Sequence, residues 1–314
     1  MFGFFEPQFN PAKDIPDLSG KVILVTGGNV GLGLASVIEL ARHNPKRIFL
    51  AARNEEKARK AMESISWELG TEKASVVSFL PLDLSSFDSI RKATEEVKSQ
   101  TDELHILLNN AGIMMTPATT TKDGYEEQFG TNHMGHALLT RLLLPLLEKT
   151  AQGGKVDVRV VNLSSAGEGM AAKDGFSDLP RYKTPMEDVS TYTRYGASKL
   201  ANIYHAQMLA RKYPHIKAVA VHPGVVNTNL LEGTKKSYPW LVPIFMPFTG
   251  LLFKSPAEGA KNQLWAATNE KVISGEFYWP VGLLDKGSAL SKNPKEAEKL
   301  WEWTEKELDA YLKQ

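Results

Sequence analysis

Apolar positions along the chain switch between two periods. Short runs rich in β-branched residues, at Lys21–Thr26, Ile48–Ala52, Ser75–Leu82, Ile106–Asn109, Val158–Leu163, Ala218–His222 and Glu276–Trp279, predict strands. Between them, apolar residues at helical spacing predict helices over Gly31–His43, Glu55–Leu69, Ser86–Ser99, Tyr125–Glu148, Ser198–Lys212 and Pro256–Ala267. Several strand runs are almost wholly apolar, as strands covered on both faces are. Such alternation builds βαβ units. Right-handed crossovers wind these into a doubly wound parallel α/β sheet of about seven strands, with helices on both faces and a crevice at the strand C-termini.

Two stretches break the alternation. Residues 166–193 carry much Gly, Pro, Asp and Ser, and residues 227–255 are apolar, aromatic and rich in Pro. Both border the predicted crevice, where loops shape substrate pockets. No linker divides the chain, so residues 1–20 read as an arm and residues 21–314 as one catalytic domain with an apolar lid segment near 227–255. The arm begins Met1-Phe2-Gly3-Phe4-Phe5 and lacks the basic start and continuous apolar stretch of a secretory signal. Its aromatic residues suit packing on the domain surface, or contact with a membrane interface. The run Tyr238–Phe248 is too short to span a bilayer and is interrupted by Pro, so no transmembrane segment is expected.

Charge and cysteine content narrow the function classes. The 37 basic and 36 acidic residues nearly cancel, without blocks of like charge, which leaves no electrostatic case for nucleic acid. Zero cysteines exclude disulfides, thiol catalysis and thiolate metal sites, and fit a reducing, cytoplasmic setting. The histidines His133, His136, His205 and His222 are scattered singly without ligand spacing, so no metal is expected.

The candidate chemistry lies at the strand ends. Thr26-Gly27-Gly28-Asn29-Val30-Gly31-Leu32-Gly33 follows the first strand and opens a helix. There Gly27 permits the turn, Gly31 lets a phosphate approach the backbone and Gly33 permits close packing; with Asn29 and Leu32 they form the candidate pyrophosphate cradle of a Rossmann-type dinucleotide site. The spacing has one residue more between the first glycines than the common fingerprint. The second strand ends in Ala52-Arg53 instead of an acid, which favours the 2′-phosphate of NADP(H). Asp83 and Leu84, ending the third strand, are candidates for the adenine side, with Asp83 alternatively capping the next helix. Asn109-Asn110-Ala111-Gly112 closes the fourth strand with small residues against which a cofactor can lie.

Downstream, Tyr195-Gly196-Ala197-Ser198-Lys199 sets a phenol and an ammonium four residues apart, on one helix face. An unperturbed Tyr pKa of about 10 is too high for efficient proton exchange at neutral pH, and lowering it by about three units requires roughly 4 kcal/mol of phenolate stabilisation. Lys199 and an oxidised nicotinamide could supply it. Ser165 is placed to hydrogen-bond a carbonyl or alkoxide oxygen, with Ser164 as its competitor. Tyr192 has Gly196 four residues on and so lacks a Lys at the required offset.

Together, Thr26–Gly33, Asn109–Gly112, Asn132, Ser165, Tyr195 with Lys199, and Pro223-Gly224 resemble the short-chain dehydrogenase/reductase family over roughly Lys21 to Trp279. The segments Thr131-Asn132-His133-Met134-Gly135-His136, Ser198-Lys199-Leu200-Ala201-Asn202 and Ser255–Ala260 resemble its retinol dehydrogenase and WW-domain oxidoreductase branch, which mostly uses NADP(H). The resemblance implies that Tyr195 is the general acid/base and that Lys199 lowers its pKa and binds the nicotinamide ribose. It implies that Ser165 orients the substrate oxygen and Asn132 holds a relay water behind Lys199. Pro223, Gly224, Val226 and Thr228 would take the carboxamide and diphosphate side. The stretch between Ser165 and Tyr195 is longer than the family's short pattern, a lengthening that retinol-type members share. A homodimer would form through the helices at Tyr125–Glu148 and Ser198–Lys212. The expected activity interconverts a carbonyl and an alcohol on an apolar or aromatic small molecule; a catalytically silent cofactor sensor or scaffold and a dehydratase or isomerase are the alternatives.

Overall fold

The computed structural model describes residues 9–224, 254–284 and 286–313. The strands β1 (Val22–Thr26), β2 (Arg47–Ala52), β3 (Val77–Pro81), β4 (Ile106–Asn109), β5 (Arg159–Leu163), β6 (Lys217–Val221) and β7 (Phe277–Tyr278) form one parallel sheet. Its order is β3-β2-β1-β4-β5-β6-β7. The order reverses between β1 and β4, and a crevice opens there at the carboxyl ends.

Alternate side chains of each strand enter opposite layers, so both faces need apolar residues. Val22 and Leu24 of β1 join one apolar cluster, Ile23 and Val25 the other. The first cluster is covered by α5 (Phe87–Gln100), α7 (Gly135–Ala151), α8 (Thr191–Lys212) and α10 (Pro294–Leu312). The second is covered by α2 (Gly31–Ala41), α3 (Glu55–Leu69) and α9 (Pro256–Thr268). The short helices α1 (Pro11–Asp14), α4 (Thr71–Ala74) and α6 (Glu127–Phe129) lie at connections. Helix starts follow side-chain caps: Asn54 accepts from Lys57 N, Ser255 from Glu258 N, and Asn293 from Lys295 N and Glu296 N.

Strand ends fall within two residues of those expected. Three expectations change. The helix expected over Tyr125–Glu148 is broken: α6 passes into a π-turn, Gly130–Met134, before α7 runs on to Ala151. The helix expected from Ser198 begins at Thr191, capped by Ser190, whose Oγ accepts from Tyr192 N. Residues 166–190 are a packed excursion built on the 3-10 turns Ala166–Met170 and Leu179–Lys183, with Phe176, Leu179 and Tyr182 buried in the first cluster. The apolar segment near 227–255 lies mostly outside the described residues, as does the tip of the N-terminal arm. No helix among the described residues is long and apolar enough to cross a membrane.

Candidate active site

The glycine turn joins β1 to α2 with Gly27 and Gly31 at positive φ, +64° and +54°. A Cβ on Gly33 would stand 2.2 Å from the Gly27 carbonyl oxygen, so the helix meets its own entry turn only because this residue is Gly. The α2 N-cap, Val30, contributes no side-chain hydrogen bond, which leaves the first-turn amides to a ligand. A glycine-lined backbone cradle whose helix start has no side-chain cap among the described residues fits a pyrophosphate. Asn110 and Ala111 form its other wall: a Cβ on Gly27 would meet the Ala111 Cα at 3.1 Å. The Asn110 amide is a strut, since its Nδ2 donates to Thr26 O at 2.7 Å and its Oδ1 accepts from Gln263 Nε2 at 3.2 Å.

Arg53, just past β2, is largely exposed, with Nη1 3.9 Å from Asp83 Oδ1. Asp83 accepts from the Ser85 backbone N–H and hydroxyl and from Lys122. Burial raises its pKa, but the Ser85 hydrogen bonds, Lys122 and Arg53 outweigh burial and hold the carboxyl below its ordinary value. Asp83 thus shapes a turn, while Ser86 caps α5. The Leu84 side chain is buried in the first cluster, so only its backbone can meet a cofactor.

The other predicted residues converge beyond β4 and β5. Tyr195 and Lys199 lie on one face of α8, with Lys199 Nζ 5.7 Å from the phenol ring centre. Helix α8 comes close because Gly196 has no side chain: a Cβ there would be 2.5 Å from the Ala171 nitrogen. Ser165 leaves β5 at the N-cap of the turn Ala166–Met170, its Oγ accepting from Gly167 N at 3.0 Å. That bond fixes the hydroxyl's orientation. A Cβ on Gly167 would lie 3.1 Å from Tyr195 Cε1 and 3.3 Å from Ser165 Oγ, so both hydroxyl-bearing side chains flank one glycine. The competitor Ser164 is excluded, because it is buried and its hydroxyl donates to Lys199 O at 2.7 Å.

Burial pushes the Tyr195 phenol up to about 12, partly offset by the Ser165 hydroxyl. Burial also lowers Lys199 to about 8. The protein's groups by themselves therefore raise the phenol's pKa, because α8 buries Tyr195 and Lys199 together; the lowering expected from the sequence invokes an oxidised nicotinamide as well as Lys199. Lys199 Nζ donates to Leu163 O at 3.2 Å, which aims the ammonium along the end of β5.

Asn132, in the π-turn, is fully buried. Its Nδ2 donates to Ile113 O and to Ser198 Oγ, both at 2.9 Å, while Oδ1 accepts from Ile113 N at 2.8 Å. Both amide hydrogens and one lone pair of the oxygen are engaged, so the side chain braces α8 against the chain leaving β4. A Cβ on Gly112 would touch both Lys199 Nζ, at 3.2 Å, and Asn132 Oδ1, at 3.3 Å. Gly112 therefore lets lysine and asparagine sit side by side. Pro223 and Gly224 follow β6, with Gly224 at φ +87°; Val226 and Thr228 lie outside the described residues.

Sequence reasoning missed the supports of these groups. Asn202 Nδ2 donates to Leu163 O at 3.0 Å, the carbonyl Lys199 also uses. The ion pair of Arg194 Nη1 with Glu126 Oε1, 2.6 Å, is buried beside the catalytic helix start, and Arg194 also donates to Thr116 O and Val189 O. Arg194 immediately precedes Tyr195, but nothing local in the sequence points to a partner 68 residues away.

Known proteins resemble the chain over nearly its whole length. Residues 21–184 match the family model described as short chain dehydrogenase. A short-chain dehydrogenase/reductase of Aspergillus calidoustus is 37% identical, over 94% of this chain and 95% of its own. The mouse retinol dehydrogenase 12 is 39% identical over 90% and 85%, and a human polyprenol dehydrogenase 36% identical over 95% and 86%. Among solved structures, NADPH-bound carbonyl reductase from chicken fatty liver superposes with a TM-score of 0.60 at 27% identity, covering 83% of this chain and 96% of its own.

Proposed function

Given that the chain belongs to the short-chain dehydrogenase/reductase family, in its retinol-dehydrogenase-like branch, we propose that it is an NADP(H)-dependent oxidoreductase interconverting a carbonyl and an alcohol on an apolar small molecule. The observation that carries this reading is the shared position of Tyr195 and Ser165 around Gly167, with Lys199 on the next turn of the same helix.

When bound, the nicotinamide exchanges a hydride with the substrate carbon. Tyr195 exchanges the matching proton with the substrate oxygen: in reduction its O–H bond breaks as the alcohol O–H forms, leaving a phenolate. Ser165 steadies that oxygen. Its Oγ already accepts from Gly167 N, which leaves its proton to be shared between the Tyr195 oxygen and the substrate oxygen. Lys199, protonated at neutral pH with a pKa of about 8, stabilises the phenolate. Burial strengthens this attraction, since little water screens the pair. Asn132, with both side-chain N–H groups engaged, serves the relay through its backbone carbonyl.

The preference for NADP(H) rests on Arg53 at the end of β2 and is in line with the NADPH bound to the chicken carbonyl reductase. The apolar substrate class is supported by the run Tyr238–Phe248 and by the names of the retinol and polyprenol relatives. The test is turnover of a panel of terpenoid, retinoid, steroid and aromatic ketones and aldehydes with NADPH and with NADH. The reading expects NADPH-dependent reduction favouring bulky apolar carbonyls. Cofactor binding without turnover across the panel contradicts it in favour of a silent sensor.

A further inference from the structure

His136 has had no role in the reaction so far, yet it touches both halves of the site. It stands four residues after Asn132, is 2% exposed, and places Nδ1 2.9 Å from the Asn132 carbonyl oxygen and Nε2 2.9 Å from Thr26 Oγ1. The π-turn makes this reach fit: its backbone bonds run five residues, as from Gly135 N to Gly130 O, and the Asn132 carbonyl meets a side chain.

Hydrogen-bond logic assigns each proton. A carbonyl oxygen only accepts, so Nδ1 carries the hydrogen and donates to Asn132 O. The ring is neutral, since burial outweighs the Asn132 bond and Lys199 adds repulsion, holding its pKa near 4. Nε2 is therefore a bare acceptor, and the Thr26 hydroxyl donates to it. That choice leaves the Thr26 Oγ1 lone pairs to accept the N–H groups of Asn110 and Ala111, each at 2.9 Å. The longer approach of Thr26 Oγ1 to Leu108 O, 3.4 Å, then carries no proton. One directed chain results, from the amides of Asn110 and Ala111 through Thr26 and His136 to the Asn132 carbonyl. Its first members form the wall of the glycine cradle, and its last belongs to Asn132, whose side-chain oxygen shares the Gly112 surface with Lys199 Nζ.

We propose that His136 is a positioning residue that fixes the Asn132 carbonyl of the proton relay to the cofactor cradle through the Thr26 hydroxyl. The proposal rests on the oxidoreductase reading above. It predicts that the two ring nitrogens do separable work. The side-chain nitrogen of an Asn at this position stands where Nδ1 does and keeps the bond to Asn132 O; the terminal oxygen of a Gln stands where Nε2 does and keeps the bond from Thr26.

The experiment measures the NADPH dissociation constant, by cofactor fluorescence with no substrate present, together with kcat. His136→Asn should weaken NADPH about five- to tenfold, with the smaller change in kcat, and His136→Gln should lower kcat about five- to tenfold, with the smaller change in binding. Thr26→Val should reproduce the weaker binding, and Thr26→Ser should restore it, which keeps a readout should a His136 variant fail to fold. Losses of equal size in both quantities for both His136 variants, or NADPH affinity unchanged in Thr26→Val, overturn the proposal. A wild-type protein that binds NADPH and turns nothing over contradicts the oxidoreductase reading instead, and the Thr26 pair then decides this one.

Discussion

Side chains of the site are brought together in two ways, by helical spacing in α8 and by the pairing of strands far apart in the chain. Tyr195 and Lys199 announce themselves because four residues on a helix is one turn, and Gly27, Gly31 and Gly33 because a tight turn into a helix restricts side chains. His136 and Thr26, 110 residues apart, meet only after β1 and β4 pair and α7 is laid across them. The burial of Tyr195, by contrast, is a property of packing that no local pattern carries. Arg53 offers the simplest check at this scale. Exposed, with Asp83 3.9 Å away as its ion-pair partner among the described residues, it would meet a 2′-phosphate on the NADP(H) reading. Arg53→Ala should raise the KM for NADPH about tenfold, the size of a lost charge-assisted contact, and leave that for NADH nearly unchanged, as initial rates with the two cofactors will read.

Among elements, the sheet was readable from its apolar runs, while α10 was not singled out although its signals were present. Asn293-Pro294 with Glu296 marks a capped start, and Ala297, Leu300 and Leu308 recur on one buried face. This helix lies along α8 and reaches α7 through ion pairs, and those are the two helices through which a homodimer was expected. Arg141 of α7 pairs with Glu305 and Asp309, His133 Nε2 lies 3.2 Å from Thr304 Oγ1, His205 of α8 stacks on Trp301, and Lys212 approaches Glu298. These contacts cover part of both helices within the chain. Light scattering tests the homodimer expected through these helices: a mass near twice 34.7 kDa supports it, and a concentration-independent mass near 34.7 kDa contradicts it.

At the scale of the whole molecule, the interior carries an electrostatic signature in four neutral imidazoles. Burial lowers His136 and His222 to about 4 and His205 to about 3, and lowers His133 well below its ordinary value, with neighbouring histidines or Lys199 adding repulsion. An unfolded chain binds protons on these groups below about pH 6.5, and the folded chain does not until the lowered values are reached. Between these limits the unfolded state holds more protons, so stability is full above about 6.5 and falls with decreasing pH, on the order of 1.4 kcal/mol per unit for each histidine. The Tm should drop by several degrees from pH 6.5 to 5, which scanning calorimetry will read; an unchanged Tm would show that these rings are solvated.

The central claim is that the Tyr195 hydroxyl is the proton donor and acceptor at the reacting oxygen. Tyr195→Phe removes that hydroxyl and leaves the ring that packs against Gly167 and Lys199. The decisive measurement is single-turnover reduction at saturating NADPH, with cofactor affinity measured on the same samples. The account predicts affinity within about threefold of wild type and a chemical step slowed by about a thousandfold or more, in the range of lost general acid catalysis. A variant that binds NADPH equally and reduces substrate within about tenfold of the wild-type rate contradicts it.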